Sequence, residues 1–202
     1  MISTIAGCIT ETLCTTGNVQ ECDRELYQYG VFMLLSWTLF FIMTCFFGVF
    51  LRVPGESILF YVMFSLLRSY AGGVHARTEK ACTILTGLTM IACVMVIRLL
   101  EEFGRSGIAL SLLAVGAVCV FAFCPLDTKE KPLAPDERQR YKKITEAITL
   151  LSITVALFAY YTEHNGILSS VSVSVFVEGV LLIVGKMLKG QNEIPTMTEN
   201  QV

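Results

Sequence analysis

Charge is what this chain has least of. Only 16% of its 202 residues are Asp, Glu, Lys or Arg against 54% apolar, and the formal net charge is −2. An ordinary soluble domain carries charge on about a quarter of its residues, so that class is excluded, and nothing in so thin a charge balance calls for a nucleic-acid partner. Histidine is nearly absent, with only His75 and His164. No H-E-x-x-H run occurs, so a zinc peptidase of that type is set aside, and no metal or other cofactor is expected. A nucleotide-cradling G-x-x-x-x-G-K-[ST] stretch is missing too. Asp23, Asp127 and Asp136 all fall outside the apolar runs, which disfavours intramembrane aspartyl chemistry. The first 30 residues have neither a basic start nor a continuous apolar core, so they do not read as a secretory signal.

What the chain has is long apolar runs, near 31 to 51, 57 to 70, 82 to 100, 107 to 124, 144 to 161 and 167 to 188. A bilayer core takes about 20 residues of helix, and lipid admits no unpaired backbone. The expectation is an all-α polytopic membrane protein in one domain, 1–202, with about six transmembrane helices. The second run is the weak one, either a short span or a re-entrant hairpin. Residues 1–29 read as an interfacial segment, because Ile2, Ile5, Ala6, Ile9 and Leu13 recur at helical spacing opposite Ser3, Thr4, Thr10, Glu11 and Thr12. Gly7 and the threonines weaken that helix, so a frayed tail stands beside it. The remaining pieces are a loop at 68–81, a basic loop at 125–143 and a polar tail at 190–202.

Lysine and arginine orient the chain. With six spans one face receives Arg24, Arg68, Arg77, Lys80, the six of the basic loop, Lys186 and Lys189, while the other receives only Arg52, Arg98 and Arg105. If the second run is re-entrant, Arg24 and Arg52 exchange sides and the imbalance is the same. The positive-inside rule therefore puts the 68–81 and 125–143 loops in the cytoplasm either way and leaves the side of the N-terminus open.

Eight cysteines, at 8, 14, 22, 45, 82, 93, 119 and 124, show no C-x-x-C spacing. Seven read as small buried or interfacial hydrophobes. Cys82 differs because His75 precedes it in a polar loop. On one unbroken helix the two would stand roughly 10 Å apart along the axis, too far for proton transfer. Gly72-Gly73 breaks helical geometry and lets the loop fold back over the next helix. Thr78 suits an N-cap and Glu79 a first turn, placing Cys82 where the helix dipole and a cationic histidine favour the thiolate. His164 falls on the opposite face, so His75 is the available base. The plain alternative is two unrelated residues at a membrane boundary.

The pattern Arg68-x-x-x-Gly72-Gly73-x-His75-x(6)-Cys82 between apolar segments, with the later Pro125-Leu-Asp-Thr-Lys-Glu-Lys-Pro132 stretch and its basic sequel, resembles the accessory gene regulator B (AgrB) family over essentially the whole chain. The resemblance implies a membrane cysteine endopeptidase acting on an AgrD-like precursor of a quorum-sensing peptide. The cysteine matching Cys82 would attack at the end of the signal segment with the histidine matching His75 as base. A thiol or hydroxyl within the precursor would then take over the acyl group, releasing a thiolactone or lactone ring. Arg68 and Gly73 fall on the family motif and would serve positioning and loop shape. The family also implies a homodimer, which the need to bury polar helix faces favours as well.

Lys129, Lys131, Arg138, Arg140, Lys142 and Lys143 concentrate positive charge in the basic loop. Orientation and contact with anionic membrane lipids account for them, and so would docking of the acidic tail that family precursors carry. Glu178 stands in the middle of the last run, where a carboxylate is expensive and faces other helices or a wet cavity. A structural or subunit-contact role is expected for it, near serines 169, 170, 172 and 174. The rival to an enzyme is a transporter or channel with Glu178 and Arg98 on a polar route, against which stands the lack of an internal repeat. A scaffold or receptor without chemistry would be indifferent to loss of the Cys82 thiol.

Overall fold

Apolar runs too long for loops must close their backbone hydrogen bonds internally, and they do so as helices. The computed structural model describes residues 2–16, 23–72, 79–126 and 135–192. Among them are seven helices and no strand: α1 Ile2–Thr15, α2 Arg24–Phe50, α3 Pro54–Ala71, α4 Glu79–Glu102, α5 Ser106–Phe123, α6 Pro135–Tyr161 and α7 Asn165–Asn192. Five stretches are long and apolar enough to cross a membrane: Arg24–Phe50, Ala81–Glu102, Ser106–Phe123, Asp136–Tyr161 and Asn165–Leu188. The architecture is that of an all-α polytopic membrane protein.

The helices form three hairpins with tight turns. Between α2 and α3, Val53 N–H donates to Gly48 O at 2.8 Å and Arg52 takes φ 62°. Pro54, whose missing N–H costs nothing at a helix start, then opens α3. Between α4 and α5, Arg105 N–H donates to Leu100 O at 3.1 Å around Gly104. Between α6 and α7, His164 N–H donates to Ala159 O at 2.9 Å. All three turns lie at one end of the bundle. A Cβ on Gly166, at the start of α7, would touch the Glu56 side chain at the start of α3, and Glu101, at the end of α4, lies within reach of the Glu56 charge.

The second apolar run is the unbroken 18-residue helix α3, roughly 27 Å long at 1.5 Å per residue. Its start lies beside that of α7 and its end at the opposite pole of the bundle, so the re-entrant hairpin is not what the chain builds. No turn signal interrupts 57–70, and Phe60, Phe64 and Leu67 line one face at helical spacing and are buried.

The core gathers on α7, which packs against α3, α4, α5 and α6. Phe60, Phe64 and Leu67 meet Met90 and Ile97 of α4, Leu113 of α5 and Leu168, Val171 and Val175 of α7. Close approach of α5 and α7 requires small residues, since a Cβ on Gly116 would stand 2.5 Å from Phe176 Cα. The serines of α7 are buried here as packing residues, Ser170 returning its hydroxyl to Gly166 O at 2.8 Å. By contrast α2 leaves Trp37, Phe41, Phe46 and Phe50 exposed, an apolar face suited to lipid.

α1 forms as a helix that packs on α2, buries Ala6 and Thr10 and leaves Ile5 and Ile9 exposed, with Thr10 donating its hydroxyl to Ala6 O at 2.9 Å. Two sequence expectations shift. The basic loop ends earlier than 143, because α6 starts at Pro135 with Asp136 and Glu137 in its first turn, where acidic side chains complement the dipole. Helix also reaches back to Arg24 ahead of the first apolar run, and on to Asn192 beyond the last.

Candidate functional site

At the pole opposite the tight turns, α3 ends and α4 begins. Gly72 caps α3 with φ 84°, a conformation that disfavours any side chain, and it forms a parallel bridge with Leu126. Leu126 N–H donates to Ala71 O at 3.0 Å. A Cβ on Gly72 would collide with the Leu126 carbonyl oxygen. Both backbone conformation and space therefore demand glycine here. The bridge ties the α3–α4 connection to the segment after α5, so the two loops that charge placement assigned to one face do share one end of the bundle.

Arg68, in the last turn of α3, donates from a guanidinium nitrogen to Gly72 O at 3.2 Å. The same nitrogen lies 4.0 Å from Glu178 Oε1, with the arginine side chain 26% exposed and the glutamate 0%. Among the described residues neither Glu178 carboxylate oxygen has a hydrogen-bond partner. A buried carboxylate is costly unless a charge compensates it, and Arg68 is that charge. Glu178 is thus enclosed within the chain beside α3, as the structural role expected for it requires. Arg98, the other residue of the suggested polar route, is occupied elsewhere, 3.6 Å from Glu102 one turn on.

Cys82 is the fourth residue of α4 and half-buried. It therefore sits in the first turn, near the positive end of the helix dipole. α4 begins at Glu79, as the sequence suggested. His75, Gly73 and the Thr78 cap lie outside the described residues, as do Lys129 and Lys131.

Arg138, Arg140, Lys142 and Lys143 stand exposed on the first turns of α6, with Lys142 Nζ 3.8 Å from Glu146. The Tyr141 ring of the same turns lies 5.8 Å from that of Tyr70, near the end of α3. Lys186 of α7 caps the Phe123 ring at 4.6 Å. The basic start of α6 is therefore at the same pole as Arg68, Gly72 and Cys82. His164 is in the α6–α7 turn at the far pole, its Nδ1 2.8 Å from Thr162 O.

Cys124, read from the sequence as a small buried or interfacial hydrophobe, and Leu126 complete this pole. Cys124 is buried, and burial pushes its thiol up despite a hydrogen bond with Thr145 of α6; Glu178 nearby acts in the same direction. Leu126 carries no side-chain signal at all, since its part is played by its backbone. The pairing of Arg68 with Glu178 could have been suspected from two opposite charges flanked by apolar residues, although nothing in their spacing, 110 positions apart, says that they meet.

A bundle of membrane-length helices with a thiol at the first turn of one, a glycine-capped loop before it and a buried ion pair beneath defines a class: a polytopic helical membrane protein with a candidate cysteine site at one pole. The family model for "Accessory gene regulator B" matches residues 5–182. The chain belongs to that family and hence to accessory gene regulation. It is 25% identical over 187 residues to a putative AgrB-like protein of Clostridium perfringens, covering 88% of this chain and 87% of the relative. Similarity extends to the accessory gene regulator protein B of Staphylococcus haemolyticus, 21% identical over 70% of this chain and 65% of that one, and to that of Staphylococcus intermedius, 26% identical over 66% and 61%. No solved structure matches.

Proposed function

We propose that this protein is a membrane cysteine endopeptidase that cleaves an AgrD-like precursor and promotes cyclisation of the quorum-sensing peptide released from it. The observation that carries the reading is Cys82 in the first turn of α4, at the pole where Gly72 caps α3 and Arg68 donates to its carbonyl. Cys82 Sγ adds to the carbonyl at the end of the signal segment. His75 takes the thiol proton and returns it to the leaving amine, so the acidic tail departs and a thioester remains. A thiol or hydroxyl within the bound segment then attacks that thioester. One acyl bond forms as another breaks, Cys82 recovers its proton, and no ATP is needed. Tethering gives the internal nucleophile a high effective concentration, and a site at the membrane boundary keeps water away from the intermediate.

The exposed Arg138, Arg140, Lys142 and Lys143, with Lys129 and Lys131, form the dock for the precursor's acidic tail and face the cytoplasm in contact with anionic lipid. The working unit is a homodimer.

Intact-protein mass spectrometry in lipid tests the reading. With a cognate precursor the chain gains the mass of the precursor minus its tail, hydroxylamine removes the adduct, and Cys82→Ala shows none. Precursor cleavage that continues in Cys82→Ala would falsify the thiol mechanism.

A further inference from the structure

We infer that Glu178 is a positioning residue for this reaction: its buried carboxylate holds the Arg68 guanidinium against the carbonyl of Gly72, and so fixes the start of the segment that leads to Cys82. The inference rests on the cysteine-peptidase reading for its consequence and on geometry for its cause.

Gly72 and Glu178 are among the groups that Arg68 approaches. Gly72 O, 3.2 Å away, belongs to the glycine cap of its own helix. Glu178 Oε1, 4.0 Å away, belongs to α7, the helix around which the others pack. An arginine tied only to Gly72 would make a local contact within α3. With Glu178 beside it, the cap is referenced to the centre of the bundle instead. Gly72 is held from its other side by Leu126, through the bridge and the hydrogen bond to Ala71 O. The residue that opens the α3–α4 connection is therefore fixed from α7 and from the segment after α5 at once, and only 73–78 separate it from the helix carrying Cys82.

Nothing in packing alone calls for a carboxylate at 178. A glutamate with 0% exposure and no hydrogen bond to either oxygen among the described residues is a burden that an apolar side chain would remove. The neighbouring residues show how the same helix packs without it, since Val175 and Leu182, one turn before and one after, are buried and apolar. A cost that packing does not require is consistent with a carboxylate kept for what it holds, and what it holds is Arg68.

The test is a double-mutant cycle on purified protein in lipid, with Arg68→Gln, Glu178→Gln and the pair. Glu178→Gln keeps the shape of the side chain and removes its charge. Expected are an acyl-enzyme formation rate at least tenfold lower for each single variant, an apparent KM for precursor within twofold of wild type, and a double variant no slower than Arg68→Gln. Glu178→Asp, which retains the charge, should recover part of the rate. Unaltered acylation in Glu178→Gln, or losses that multiply in the double variant, overturns the inference. A second readout needs no precursor. The rate of Cys82 alkylation by iodoacetamide, read by peptide mapping, should change by the same factor in both single variants while labelling of Cys45 does not. If wild type acylates with no precursor, the peptidase reading fails, and the alkylation cycle still decides on Glu178. Equal labelling of Cys82 in wild type and Glu178→Gln overturns the positioning role. Variants whose helix content or monodispersity falls are replaced by Glu178→Asp, whose rate must then lie between those of wild type and Arg68→Gln, and a rate below Arg68→Gln rejects the role.

Discussion

The two poles of the bundle are built on different rules. At one, the α2–α3, α4–α5 and α6–α7 turns close within themselves, by hydrogen bonds that reach back no more than five residues. Arg98 pairs locally with Glu102 at 3.6 Å, while Glu56 and Glu101 lie half-buried within reach of each other. At the other, Gly72 meets Leu126, Arg68 meets Glu178 and Tyr70 meets Tyr141, contacts between residues far apart in the chain. At the first pole the backbone of each turn closes by itself, even though Glu56 lies against Gly166 and near Glu101. At the second the backbone itself is joined across the chain, and such coupling is what the proposed nucleophile, its loop and the proposed dock would need to keep one geometry.

The sharpest way to break the contrast is through the cysteines. Cys82→Ser should lower precursor cleavage by about 10⁴-fold or more, the scale of loss for a removed nucleophile, whereas Cys45→Ser, in the half of α2 nearer the tight turns, should leave it within twofold. Equal rates in the two variants would remove the functional distinction between the poles.

Glycine provides the next comparison. Gly72 and Gly104 both have positive φ, 84° and 58°, but a Cβ on Gly104 meets nothing within 4 Å and one on Gly72 meets the Leu126 backbone. Alanine at 104 should cost about 1 kcal/mol, the ordinary cost of the left-handed conformation, with normal cleavage. At 72 it should cost about 1–3 kcal/mol through strain and displaced backbone, and cleavage should fall with it. Thermal unfolding in detergent measures the first quantity and precursor turnover the second.

Charge reversal sharpens the comparison further. Arg138→Glu with Arg140→Glu should raise the apparent KM for precursor about tenfold, in line with two lost attractions of ~0.7 kcal/mol each in a partly screened setting, without altering membrane insertion. Unchanged cleavage rejects the dock and leaves lipid contact as the role of these residues. Smallest of all is Arg98→Gln at the far pole. It breaks an exposed pair one turn apart, so unfolding should shift by about 0.3–0.5 kcal/mol and cleavage not at all. A large loss of cleavage there would revive the polar-route reading.

Helix positions were legible in the sequence because lipid leaves an apolar run no other way to close its backbone. Even the start of α4 at Glu79 followed from local chemistry, and with it the placing of Cys82 in a first turn. The limits of α2, α6 and α7 were less so, for polar residues that continue a helix beyond the apolar stretch look like loop by composition. The choice between span and re-entrant hairpin for 57–70 was open, since both need apolar residues and only neighbours decide. Glu178 was visible as an anomaly, but its partner was not.

By itself, then, the sequence determined that the chain is a helical membrane protein of this family, which run forms which helix, and which thiol stands at a helix start. Those properties follow from composition, period and motif, all carried by residues near one another in the chain. Only the tertiary structure decided that Glu178 answers to Arg68, that Gly72 is closed against Leu126, and that the basic start of α6 shares a pole with Cys82. Each of these depends on how helices distant in sequence pack around α7, and that is set by the shapes of Gly116, Gly179 and the residues facing them across the whole bundle.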